Sequence, residues 1–237
     1  MAAKAIGSEV KAYEKVMAYI KNSIINHELK IGSKLPPERD IAEELQVSRN
    51  SVREGIHMMK IMGFISSQQG AGNYISCDFE KNMTESLSMM FMLHELDYDQ
   101  ISHLRYALES EAFSLAVDNV TEEEINDFKT YIANLDENRS EEENVIWDKK
   151  IHYGIVKASR NVMIEDIYSA LSEVIDTFAA DMRLEVLKGP NRDRLQMAHK
   201  EIVSCLVDKD RLGGLRAIKN HFDYVEQALG DETEFGR

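Results

Sequence analysis

Apolar positions first recur at helical spacing between Glu9 and Leu29, where Val10, Tyr13, Val16, Met17, Ile20, Ile24 and Ile25 form one stripe. Gly32 interrupts that pattern, and Pro36 and Pro37 pre-set the backbone for a second helix whose buried face is Ile41, Ala42 and Leu45. Ser48 then suits the N-cap of a third helix, with Val52, Ile56, Met59 and Ile61 inward and Arg49, Asn50 and Arg53 pointing away. Phe64 to Gln68 and Asn73 to Ser76 have strand character, and Gly70-Ala71-Gly72 is a tight connection between them. Three helices followed by a Gly-tipped hairpin predict a winged helix-turn-helix.

Beyond Ser76 the period is helical throughout. Seven segments are expected, near 80 to 94, 97 to 118, 121 to 137, 141 to 159, 161 to 187, 191 to 208 and 210 to 229. Asp118-Asn119, the capping-box-like Thr121-Glu-Glu-Glu start and Lys188-Gly189-Pro190 separate some of them. The fold class is therefore mainly α. Residues 1 to 76 form a winged helix-turn-helix DNA-binding domain, and residues 79 to 230 form an all-helical bundle.

Composition narrows this picture. The chain has 237 residues, 43% of them hydrophobic, which supports real cores. The longest apolar runs, such as Met89 to Leu93, are far short of a membrane span, and no signal-peptide layout opens the chain, so a cytoplasmic protein is expected. Cys77 and Cys205 are the only cysteines; their separation gives neither a disulfide framework nor a CxxC pair. A net charge of -14 argues against nucleic acid until it is divided. Residues 1 to 76 hold ten Lys/Arg against eight Asp/Glu, or +2, and the remaining 161 hold 18 against 34, or -16. Only the first part can attract phosphates.

A helix entering the major groove needs side chains near its N-terminus that reach base edges, and the arginine fork matches the two acceptors of guanine. Arg49 and Arg53 are four residues apart and share a face, while Arg39 is placed for a phosphate or a base at the groove edge. Ser48 and Asn50 add candidate contacts, and the backbone at Gln69 and Gly70 suits close approach to the minor groove.

A second constellation lies in the acidic part. On a helical wheel Asp148 and His152 share a face flanked by Val145, Ile151, Ile155 and Val156. His199 sits between Leu195, Ile202, Val203 and Leu206, and His221 between Ala217, Ile218, Val225 and Ala228. Three helices thus aim polar groups into one core. An unpaired buried carboxylate is costly, and a cation held by one Asp and three His removes that cost. Such ligation suits zinc first, with nickel, manganese or iron as alternatives, and leaves positions open for water or an anion. His57 and His103 have polar helical neighbours and read as solvated.

The segment LPPERDIAEEL, VSRNSVREGI and GFISSQQGAGNYI resembles the DNA-binding domain of the GntR family of bacterial transcriptional regulators. That resemblance implies DNA contacts from Arg39, Arg49 and Arg53, aided by Ser48, Asn50, Gln69 and Gly70. One departure is the wing, which offers Gln68, Gln69, Ala71 and Asn73 where such proteins often carry Arg or Lys. HLRYALESEAFSLA, WDKKIHYGIVKASRN, AHKEIV and IKNHF resemble the FCD ligand-binding domain of the FadR subfamily. The resemblance places Asp148, His152, His199 and His221 on the family's four metal-ligand positions and implies that Arg105 receives an effector carboxylate. Read without it, Arg105 is an ordinary helical pair with Glu109 four residues on.

The expected function is a ligand-responsive transcriptional regulator, a repressor by the family's commoner mode with activation as the alternative, binding a palindromic operator as a homodimer and controlled by a small organic acid at a metal site. The alternatives are a regulator that senses the metal itself and a metal-dependent hydrolase or lyase. The enzyme reading lacks a dedicated general base beside the ligands and leaves the DNA reader unexplained.

Overall fold

In a computed structural model the chain is described over residues 11–78, 80–94, 98–135, 140–171, 174–176 and 192–233. It divides into two compact units, Met1–Met83 and Thr84–Arg237.

The first unit holds α1 (Ala12–Ile25), α2 (Glu38–Leu45), α3 (Arg49–Ile61), β1 (Ile65–Gln68) and β2 (Gly72–Ile75). The start expected at Glu9 lies outside the described residues, and α1 ends at Asn26, before Gly32. Pro37 caps α2, and Gln46 ends it in the left-handed region at φ 53°, turning the chain into α3. Ser48 is the N-cap of α3, its Oγ accepting the Ser51 N–H at 3.1 Å, which satisfies one orphan donor of the first turn.

Val16, Ile20, Ile41 and Val52 are fully buried at the junction of the three helices, with Ile56, Met59, Ile65 and Ile75 closing the core. A Cβ on Gly55 would lie 2.9 Å from the Val16 side chain, so glycine there lets α1 and α3 pack closely. Ile61 departs from the expected inward face: it is 50% exposed, since it sits at the last residue of α3, past the turn that contacts α1. The strands pair antiparallel in the register Ile65↔Ile75 to Gln68↔Gly72, so Ile65 and Ile75 meet on the core face. A further extended segment lies beside β2, with a bridge between Lys34 and Tyr74 and a 2.8 Å bond from the Leu35 N–H to the Asn73 carbonyl.

From Glu80 onward the described elements are all helices: α4 (Glu80–His94), which spans the division between the units, then α5 (Tyr98–Asn119), α6 (Glu122–Asn134), α7 (Glu141–Ala158), α8 (Val162–Ala170), α9 (Arg192–Val207) and α10 (Arg211–Thr233). The capping box at Thr121 is present. Glu124 N–H donates to Thr121 Oγ1 at 3.3 Å, and Thr121 N–H to Glu124 Oε2 at 3.0 Å. Ser140 with Glu143 forms the same box at α7, and the Asn161 side chain caps α8 by accepting from Met163 and Ile164 N–H.

The single helix expected over 161 to 187 is corrected: α8 ends at Ala170, and Leu171 is its C-cap. Residues 174–176 are helical, and 177–187 lie outside the described residues.

Phe113, Ile151, Ile155, Tyr168, Ile202, Leu206 and Ile218 centre the core, where α5 packs on α7 and α10, and α9 on α10. Gly214 meets Phe113 so closely that an added Cβ would fall 2.0 Å from its ring. Gly214→Ala is expected to destabilise this unit by ~1 to 3 kcal/mol, because a fully buried ring has nowhere to go. Denaturant unfolding with an unchanged midpoint would contradict that packing. No helix among the described residues is long and apolar enough to cross a membrane.

Candidate DNA interface and buried histidine site

On the first unit, Ser48, Arg49, Asn50 and Arg53 are exposed along the N-terminal half of α3. Arg49 makes no ion pair among the described residues. Arg53 is held across to α2, its Nε donating to Glu38 Oε2 at 2.8 Å with the side chain still 59% exposed. Its guanidinium is thereby oriented while its remaining donors face water. Arg39 is exposed and pairs loosely with Asp40 and Glu43, at 3.3 and 3.7 Å. Ser48 Oγ is engaged as the helix cap and lies 2.9 Å from Ser51 Oγ. Gln69 and Gly70 are exposed at the hairpin tip, where Gly70 takes φ +75° with open space around it. The sequence reading missed Lys34, an exposed cation whose Cε lies 3.0 Å from where a Gly72 Cβ would stand. The wing therefore has a lysine beside it that its own residues lack.

In the second unit, α7 supplies Asp148 and His152, α9 supplies His199 and α10 supplies His221, and all four are buried. One nitrogen from each imidazole falls within a 4.8 Å span. The ring centroids are 5.3 Å apart for His152 and His199, 4.9 Å for His152 and His221, and 4.6 Å for His199 and His221.

The hydrogen bonds fix which nitrogens converge. His152 Nδ1 faces the Glu109 carboxylate at 2.5 Å, and His199 Nδ1 faces the Leu195 carbonyl at 2.9 Å; both partners only accept, so both Nδ1 atoms donate. In neutral rings the two Nε2 atoms then carry lone pairs. They stand 3.2 Å apart, and Asp148 Oδ1 lies 2.9 Å from His199 Nε2. Asp148 Oδ2 is 3.8 Å from His152 Nε2. Among the described residues the three imidazoles share one 4.8 Å span, and the Asp148 carboxylate borders it beside His199 Nε2. A divalent cation fits this: two nitrogens at ~2.0 to 2.1 Å from a tetrahedral zinc are ~3.3 Å apart. His221 agrees, because its Nδ1 is buried with no hydrogen-bond partner among the described residues. Burial, and then the His199 and His152 rings, push its pKa well below the usual histidine range, which keeps a lone pair available.

Around this cluster lies a buried set containing Arg105, which the family resemblance made an effector contact and the residues alone made a helical pair with Glu109. Glu109 Oε1 accepts from Arg105 Nε at 3.0 Å, from its second guanidinium nitrogen at 2.9 Å, and from the Tyr168 hydroxyl at 2.7 Å. Burial raises the Glu109 pKa, but the Arg105 guanidinium, the neighbouring His152 ring and the hydrogen bonds from His152 and Tyr168 outweigh it, leaving about 2. Burial alone lowers the Arg105 pKa; Glu109, with smaller help from Tyr168 and Asp148, turns the net shift upward. Arg105 also stacks over Phe222, its guanidinium carbon 5.4 Å from the ring centroid.

Residues 12–75 match the family described as bacterial regulatory proteins of the gntR family, and residues 100–224 match the FCD domain. The chain belongs to the GntR family. It has the FadR-like arrangement of that family, a winged helix-turn-helix followed by a helical FCD domain. Among curated relatives of this GntR regulator, the transcriptional regulator LutR of Bacillus subtilis is 28% identical, the match covering 89% of this chain and 98% of that one. The Uxu operon transcriptional regulator of Escherichia coli is 26% identical, over 95% and 90% of the two chains. The putative L-lactate dehydrogenase operon regulatory protein of the same organism is also 26% identical, over 91% and 85%. A solved Streptococcus agalactiae GntR structure superposes with a TM-score of 0.65 at 20% identity, covering 91% of this chain and 99% of that one, and shares the fold. The GntR protein is accordingly a transcription regulator with an FCD ligand-binding domain, and not an enzyme.

Proposed function

We propose that this GntR regulator is a cytoplasmic, homodimeric repressor that binds a palindromic operator and is controlled by a small organic acid held at a metal in its FCD domain. The observation that carries the reading is the meeting of His152 and His199 Nε2 with Asp148 Oδ1, acceptors turned toward one another with His221 beside them. Asp148, His152, His199 and His221 hold the ion, zinc first and nickel, manganese or iron as alternatives. When bound, the ion would supply a Lewis-acidic contact for a carboxylate. One relative's name ties it to an L-lactate dehydrogenase operon, and lactate is a small carboxylate. Arg105, buried beside the cluster, is the proposed charge partner of the acid.

On DNA, Arg49 and Arg53 read base edges from α3, Arg39 meets the groove edge, and Ser48, Asn50, Gln69 and Gly70 add contacts. A two-fold dimer matches the two half-sites. Lys34 supplies the positive charge toward DNA phosphates that the wing sequence lacks. Lys34→Ala is expected to weaken binding about equally on all sequences and to reduce the salt-dependence slope by ~1. An unaltered slope would remove Lys34 from the interface.

Calorimetric titration of small mono- and dicarboxylates into metal-loaded and chelated protein tests the effector reading. Binding to the metal-loaded form alone supports it; equal binding to both forms overturns the metal's role. Control of transcription requires that the acid bind the DNA-competent and DNA-incompetent arrangements unequally. A second reading, in which the metal itself is the signal, rests on the same cluster and predicts that chelation alone releases DNA.

A further inference from the structure

We propose that Glu109 is the positioning residue of the metal site: it fixes His152 with the proton on Nδ1, so that Nε2 is the atom presented to the ion. This rests on the metal reading above. Glu109 is 1% exposed and lies on α5, which contributes none of the four ligands. Its two oxygens have separate partners. Oε2 meets the His152 ring at 2.5 Å, while Oε1 takes the Arg105 guanidinium and the Tyr168 hydroxyl. Donors from α5 and α8 therefore pin one end of the carboxylate, and the other end reaches His152 on α7. A carboxylate so anchored cannot swing away, and it accepts only a hydrogen.

The consequence is chemical as well as geometric. A neutral imidazole has one N–H, and spending it on Glu109 leaves the Nε2 lone pair facing His199 Nε2 and Asp148. The carboxylate also draws on that N–H and makes Nε2 a stronger donor to a cation. His199 reaches the same state through the Leu195 carbonyl, a neutral partner on its own helix. His152 is thus the ligand whose orientation depends on a charged residue from another helix. The competing explanation is that Glu109 serves only as the counter-ion of Arg105.

Glu109→Gln and Tyr168→Phe, each in the full-length chain, separate these roles. Competition between the protein and a chromophoric chelator for zinc is expected to show a 10- to 100-fold loss of affinity in Glu109→Gln. A smaller loss is expected in Tyr168→Phe, where Oε2 keeps its partner. Histidine nitrogen resonances of the zinc-loaded wild type are expected to show His152 protonated at Nδ1 and bound through Nε2, a readout that survives even if Glu109→Gln does not fold. If Glu109→Gln melts earlier but binds zinc as tightly as wild type, Glu109 is only a counter-ion and the proposal fails. Binding of His152 through Nδ1 overturns it as well. A wild type that takes up no zinc, nickel, manganese or iron contradicts the metal reading itself, and the proposal with it.

Discussion

Arg49→Ala is expected to weaken specific operator binding by ~1 to 3 kcal/mol, roughly five- to 160-fold, with no change in the melting of either unit. The size follows from what one arginine fork contributes when it spans the two acceptors of a guanine. The cleanness of the test follows from the structure. Arg49 is exposed on the first turn of α3 and makes no ion pair among the described residues, so its removal costs the free protein little. Arg53→Ala would mix two effects, since that guanidinium also holds Glu38 of α2 at 2.8 Å. Electrophoretic mobility shift against a selected operator and against unrelated DNA measures the difference. Equal losses on both would make Arg49 a phosphate contact; no loss on either would sink the assignment of α3 as the reading helix.

His199→Ala is expected to remove both bound metal and thermal stability. Its ring is fully buried, and its loss takes away one ligand, opens a cavity and leaves Asp148 Oδ1 without the nitrogen it faces at 2.9 Å. An ion present at 100 times its dissociation constant stabilises the folded state by ~2.7 kcal/mol, which corresponds to ~5 to 10 °C in a unit of this size. The cavity adds to that. The two parts separate on chelation: wild type should lose the metal share of its melting temperature when stripped, whereas the variant should hardly respond to chelator. A wild type that melts alike with and without chelator would leave the histidines as core polar groups.

Much of this architecture was legible in the sequence, for local reasons. Ser48 announces α3 because a hydroxyl before an amphipathic run has a free N–H to satisfy, and Thr121 with Glu124 marks α6 by the same logic. The segment beside β2 was not legible, since Lys34 and Leu35 pair with residues some forty positions away and are followed by two prolines. The end of α8 was missed because neither Gly nor Pro interrupts the apolar pattern between Asn161 and Gly189. Asp148 and the histidines stood out as polar groups within apolar arcs. Glu109 did not: four residues after an arginine it looks like half of a surface pair. Its burial becomes visible only when His152, 43 positions on, and Tyr168, 59 positions on, fold against it. That Arg105 pairs with Glu109 was the plain sequence reading, and the structure contains that pair; its approach to an acid belongs to the proposal.

In the proposed mechanism an organic acid controls DNA binding through a metal at Asp148, His152, His199 and His221. The most direct measurement is the fluorescence anisotropy of a labelled operator bound to metal-loaded or chelated protein, titrated with small carboxylates. Metal-loaded protein is expected to hold the operator until an acid is added, and the acid is expected to have no effect on chelated protein still bound to DNA. Release by acid that is indifferent to chelation, or release by chelation with no acid present, would contradict it.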